Sequence, residues 1–208
     1  MQQVSKRVLF AGAAMALTLA TSTTFGSPVA VRVPIVCSRG PSGQTFNVGV
    51  TMPASQATGT TFAIRIDAAP SGKISHTGLN YIFDMQTDYV VPAGTAYVEG
   101  SARILAGTGT ANVRASARVW HDAEGIHLAL PARVENGSGY TPPSIELQVE
   151  VRAPAGTSLS LKLARHKVAA SVFLLGTLRT TCDPNPRPST IGTTLVSAPP
   201  PAAVTSDD

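Results

Sequence analysis

Few residues in this chain have types and spacing suited to chemistry. Its four histidines are His76, His121, His127 and His166. None stands in His-x-His or His-Glu-x-x-His spacing, so a zinc centre is not expected. The densest polar cluster is Trp120-His121-Asp122-Ala123-Glu124, with His127 three residues further on. A cluster of that kind suits acid–base or metal chemistry. Acidic residues followed by Gly125 are also ordinary hairpin chemistry, and the segment reads as a turn. Gly-x-Ser-x-Gly is absent, and no serine lies in the strand–turn–helix setting of a hydrolase elbow. Gly107-Thr108-Gly109 has no helix expected after it, so it is not read as a phosphate loop. Arg65, Arg103, Arg114 and Arg118 fall on expected strands, where they read as the solvated side of a sheet rather than an anion-binding face. No residue is assigned a catalytic, cofactor-binding or metal-ligating role.

The elements around these residues are strands. In residues 145–151, Ile145, Leu147, Val149 and Val151 alternate with Glu146, Gln148 and Glu150, and Leu159, Leu161 and Leu163 then alternate with Ser158, Ser160 and Lys162. Period-2 alternation marks half-buried antiparallel strands, and Pro154-Ala155-Gly156 supplies a turn between the two runs. The same alternation recurs in residues 44–52, 62–67, 79–91 and 110–120, with shorter runs at 96–105 and 126–130. Tyr81 and Phe83 share a parity with Leu79 and Met85 and are expected in the core. Residues 168–178 are apolar on both faces. They read as a central strand, with the wall of a lipid-tail pocket as the second reading. Strands near ten residues apart predict an all-β, antiparallel, immunoglobulin-like sandwich of two sheets and about nine strands over residues 29–183. A β-barrel is the alternative.

The ends differ from the middle. Lys6 and Arg7 precede an apolar run at residues 8–20, the pattern of a signal peptide over residues 1–26 and short for a membrane span. No stable span is expected after its cleavage. Removing Lys6 and Arg7 from the 16 basic residues leaves 14 against 12 acidic ones, a net charge of +2. Charged residues make up only 13% of the chain, which excludes the dense basic patches of nucleic-acid binders. Two cysteines in an exported chain, Cys37 and Cys182, are expected to form one disulfide. Residues 184–208, with Pro184, Pro186, Pro188, Pro199, Pro200 and Pro201, read as a largely disordered tail with at most a weak edge strand near 191–196.

The order of several motifs resembles a family of secreted actinobacterial β-sandwich domains of unknown function. These are Cys37 followed by Gln44-Thr45-Phe46-Asn47-Val48-Gly49-Val50-Thr51, then Val90-Val91-Pro92-Ala93-Gly94-Thr95, residues 145–157, and Thr180-Thr181-Cys182-Asp183-Pro184. Members are sometimes labelled cyclase or dehydratase. The resemblance implies a disulfide-bracketed domain of the cell envelope or extracellular space, and it brings no catalytic residues with it. The expected function is a secreted, non-enzymatic binding or structural module for an unknown envelope or extracellular ligand. An extracytoplasmic carrier of a lipid or other hydrophobic molecule is the first alternative, and an enzyme of unrecognised type is the second. No cofactor is expected.

Overall fold

A computed structural model describes residues 27–40 and 43–199. The expected leader and the chain beyond residue 199 lie outside it. Strand accounts for 57% of the described residues and helix for 4%, which settles the all-β class. The order is β1 (Val29–Cys37), β2 (Gln44–Thr51), β3 (Ser55–Ala57), β4 (Thr61–Ala68), β5 (Leu79–Val90), β6 (Thr95–Tyr97), β7 (Arg103–Ile104) and α1 (Ala111–Ser116). Then follow β8 (Arg118–Asp122), β9 (Gly125–Leu130), β10 (Val134–Glu135), β11 (Ile145–Val151), β12 (Ser158–Val172), β13 (Gly176–Pro184) and β14 (Ser189–Ser197).

Two separate sheets were expected, but hydrogen bonds run unbroken along β6-β11-β4-β2-β1-β13-β12-β5-β9-β8. This single sheet curls so that its two halves share one core, with Ile64, Leu147, Val149, Leu161 and Leu163 fully buried in it. Its free ends meet where Tyr97 stacks on His121, ring centroids 3.9 Å apart. Nearly all pairings are antiparallel; β14 against β3 is parallel. The disulfide Cys37–Cys182 clips β1 to β13, at the joint between the two halves.

Several segments depart from the sequence reading. Residues 145–151 and 158–163 are not hairpin neighbours: β11 pairs with β4, β6 and β7, and β12 with β13, β5 and β14. The link at 152–157 instead carries the chain across from one half to the other, and the amides of Arg152 and Ala153 both donate to the Gly94 carbonyl. Within 110–120, residues 111–116 form a helix. Its alternating positions hold Ala115 and Ala117, which gain little from strand burial, and Ala and Arg favour helix. Arg114 Nη1 donates to the carbonyls of Thr108 and Gly109 at 2.8 and 3.3 Å, and Val113 fills the core. A helix therefore does follow Gly107-Thr108-Gly109, but one of only six residues.

The most consequential difference is at the C-terminal side. Residues 189–197 form a full strand, with Ile191, Thr194 and Val196 buried and Thr194 Oγ1 donating to the Pro53 carbonyl at 2.8 Å. The domain extends to Ser197, and the boundary at residue 183 is corrected accordingly. Proline excludes a central strand only where it interrupts one; Pro186 and Pro188 precede β14 and Pro199 follows it.

Parity also slips within two strands. Asp84 adopts φ 47°, a left-handed conformation that inserts an extra residue into β5. After it Met85, Thr87 and Tyr89 point inward. Before it Ile82 does, leaving Tyr81 and Phe83 half-buried against each other at 5.6 Å rather than in the core. In β12 the register against β5 shifts between Leu163 and Arg165. The inward set therefore passes from Leu159, Leu161 and Leu163 to His166, Val168 and Ala170.

Candidate functional site

Two constellations emerge, one on each face of the β12–β5–β9 region. On the outer face, register places Asp88 directly opposite His127 and His127 opposite Trp120. His127 Nδ1 lies 2.8 Å from Asp88 Oδ1 and its Nε2 2.9 Å from Asp122 Oδ1. Gln86 Nε2 donates to Asp88 Oδ1 at 2.6 Å, and Lys167 Nζ sits 3.4 Å from Asp88 Oδ2. Trp120 stacks on the imidazole at 5.0 Å. Gly125 closes the β8–β9 turn at φ 133°; a Cβ there would meet the Tyr89 carbonyl at 2.1 Å, so only glycine brings the hairpin this close to β5.

Burial opposes charge on His127, but hydrogen bonds and attraction from Asp88 and Asp122 outweigh it and raise its pKa. Burial works against ionisation of Asp88 too, and His127, Gln86 and Lys167 reverse that and hold its carboxyl below the usual range. The hydrogen bond from His127 does the same for Asp122. Both ring nitrogens are engaged by carboxylates, an arrangement that favours the imidazolium form. The two ring nitrogens tie β9 to Asp88 of β5 and to Asp122 of β8, which fixes the β8–β9 hairpin on β5. Among the described residues, no group of three or more His, Cys, Asp or Glu is placed to hold a metal ion.

Of the polar cluster read from the sequence, Asp122 and His127 do come together in a hairpin. His121 points to the opposite face, onto Tyr97. The four arginines share no site: Arg65 pairs with Asp67 and Arg103 with Glu146, Arg114 braces its loop, and Arg118 lines a shallow outer groove beside Trp120 and Lys167.

The inner face holds the larger feature. Beyond His166 the halves of the sheet diverge and leave an open cleft of about 790 Å³. Val168, Ala170 and Val172 of β12 and Leu178 of β13 form one wall, with Ile35 and Phe46 among the residues facing them. The doubly apolar stretch does begin in a central strand, since residues 168–172 of β12 lie between β13 and β5, but its inward face lines a cleft rather than packed core. Arg39 and Lys73 lie at the lining, which contains no carboxylate among the described residues. At the cleft floor, half-buried His166 bonds Thr87 Oγ1 through Nδ1 at 3.0 Å and packs on Phe46 at 5.4 Å.

No family model and no curated protein matches this chain. Among solved structures it is similar to a cohesin module from the Clostridium perfringens ATCC13124 family 33 glycoside hydrolase, at 9% identity and TM-score 0.40 over 74% of this chain and 98% of that one. It is similar to the sixth cohesin of Acetivibrio cellulolyticus scaffoldin B, solved with a mutant Cel5 dockerin, at 10% identity and TM-score 0.36 over 70% and 94%. It is also similar to a Corynebacterium diphtheriae protein described as membrane anchored, at 16% identity and TM-score 0.49; that match covers 83% of this chain and 38% of the other. All three scores fall below 0.5.

The two histidines with shifted pKa values should bend stability against pH in opposite directions. Burial pushes His166 down from 6.5 to about 4, against the pull of Asp88. Its contribution is therefore complete above pH 6.5 and is lost as pH falls through about 4. His127, raised above 6.5, contributes fully below that pH and loses its contribution as pH rises through its own higher value. Urea midpoints measured from pH 4 to 8 should fall off on both sides. His166→Gln should flatten the acidic limb and His127→Gln the alkaline one. An acidic limb unchanged by His166→Gln would contradict this assignment.

Proposed function

We propose that the chain is an extracytoplasmic, non-catalytic binding module that takes an apolar chain into the inner-face cleft. One observation carries the reading: the inward residues of the β12–β13 hairpin line open space instead of being covered by core. Val168, Ala170, Val172 and Leu178 would be expected to pack against an opposing sheet, yet the cleft in front of them has a volume in the range of small-molecule sites, roughly 300–1,000 Å³. The cleft is open to solvent rather than enclosed, which suits a molecule whose polar end stays in water. The disulfide supports a location outside the reducing cytoplasm. Among the described residues, no helix is long and apolar enough to cross a membrane.

Titration with a fluorescent long-chain fatty acid tests the reading. Saturable binding is expected, weakened at least about tenfold when Ala170→Trp fills the cleft, a change of about 1.4 kcal/mol. Absence of saturable binding, or equal binding by a folded Ala170→Trp variant, would overturn it.

A further inference from the structure

We propose that the β12–β13 hairpin tip docks this domain on a bilayer carrying anionic headgroups, bringing the cleft mouth against the lipid surface. The inference extends the cleft reading, on which its purpose rests. Phe173, Leu174 and Leu175 form the tip and are 66%, 89% and 67% exposed. The other large exposed hydrophobic residues, such as Val36 and Leu195, occur singly, as is ordinary on protein surfaces. Three in succession at an apex are not ordinary, and such a patch marks an interaction site.

The backbone sharpens the point. Leu174 sits at φ 63°, a conformation that turns usually assign to Gly, Asn or Asp. Folding the turn gains nothing from a leucine there. The tip is nonetheless held firmly: the Phe173 amide donates to the Gly78 carbonyl at 2.7 Å and that of Leu175 to the Val172 carbonyl at 3.2 Å. A braced turn carrying apolar side chains at its summit is shaped to enter an apolar medium.

The surroundings select the medium. Residues 68–83 and 168–182, which build most of this end of the domain, contain Lys73, Arg179 and no carboxylate, while β10 places Glu135 opposite Tyr81. Arg179 lies 3.5 Å from Asp84, just beyond that stretch, while Arg39 and Lys73 border the cleft. On the outer face behind the tip, Arg133 lies 3.6 Å over the Tyr81 ring and is paired with Glu135, both side chains being exposed. Apolar apex, amphipathic aromatic and cations in succession match the depth profile of a membrane interface with negative headgroups. Val172 lines the cleft immediately before Phe173, so a docked tip would set the cleft mouth at the headgroup layer.

Vesicle co-sedimentation of the full chain tests this, using phosphatidylcholine alone and phosphatidylcholine mixed with phosphatidylglycerol. Binding is expected to the mixed vesicles and to weaken with salt. Changing Phe173, Leu174 and Leu175 together to Ser should cut it at least about tenfold. The tip is solvent-exposed, so this variant should melt as the parent does and still bind the fatty-acid probe. Ala170→Trp should lose the probe but keep the vesicles, which separates failure of the cleft reading from failure of docking. The proposal is overturned if the parent ignores mixed vesicles, or if the tip variant sediments equally. It is also overturned if the tip instead drives concentration-dependent self-association without vesicle binding.

Discussion

A chain ending at Arg187 is expected to melt more than about 10 °C below the full chain, if it folds at all. The prolines make residues 184–208 look expendable, but β14 is a core strand. Ile191 and Val196 are 2% and 1% exposed, and burying each is worth about 1.5–3 kcal/mol. β14 also pairs with β12 from Ser158 to Leu163, so its loss uncovers the edge beside Leu159, Leu161 and Leu163 and leaves their ladder hydrogen bonds to water. One kcal/mol moves the midpoint of a domain of this size by roughly 2–4 °C. Ile191→Ala alone should cost about 2–5 kcal/mol. Calorimetry of the shortened chain decides the matter: a shift below about 4 °C would make β14 peripheral.

Why β14 read as no more than a weak edge strand near 191–196 is informative. Its buried residues are spaced unevenly because Gly192 sits where a Cβ would come within 2.8 Å of Val50 and Met52, and the register with β12 shifts nearby. Regular strands such as β4 and β11 were legible because one face is buried along nearly their whole length. The slips at Asp84 and beyond Leu163 were not, since a bulge answers to the partner strand rather than to local pattern. They are why Tyr81 and Phe83 lie outside the core and why the apolar run after Lys167 faces a cleft. Asp122 and His127 were visible as one hairpin. Asp88, 39 residues from His127, reaches it only through the β5–β9 register, which no local spacing encodes.

Replacing Cys37 and Cys182 together by Ser should cost roughly 4–5 kcal/mol on the chain-entropy account of so long a loop, the two cysteines being 145 residues apart. The position of the bond makes the loss local as well as global. β1 and β13 pair over only three residue pairs, Ile35 with Pro184, Val36 with Asp183 and Cys37 with Cys182. Beyond them, the joint is held by two backbone bonds, from Ser38 to the Thr181 carbonyl and from Asn185 to the Pro34 carbonyl, and by side-chain bonds in which the amides of Arg39 and Thr181 donate to Thr180 Oγ1 and Ser38 Oγ. Without the covalent clip, the halves of the sheet should part there first. Amides of β1 and β13 should then exchange with solvent faster than those of β11 and β4, which pair over six residues. Both cysteines also line the cleft, so affinity for the fatty-acid probe should fall in the same variant. Guanidinium midpoints and native-state exchange measure the two effects. A stability loss below about 1 kcal/mol would contradict the loop-entropy account, and alkylation of both thiols without prior reduction would show that the bond does not form.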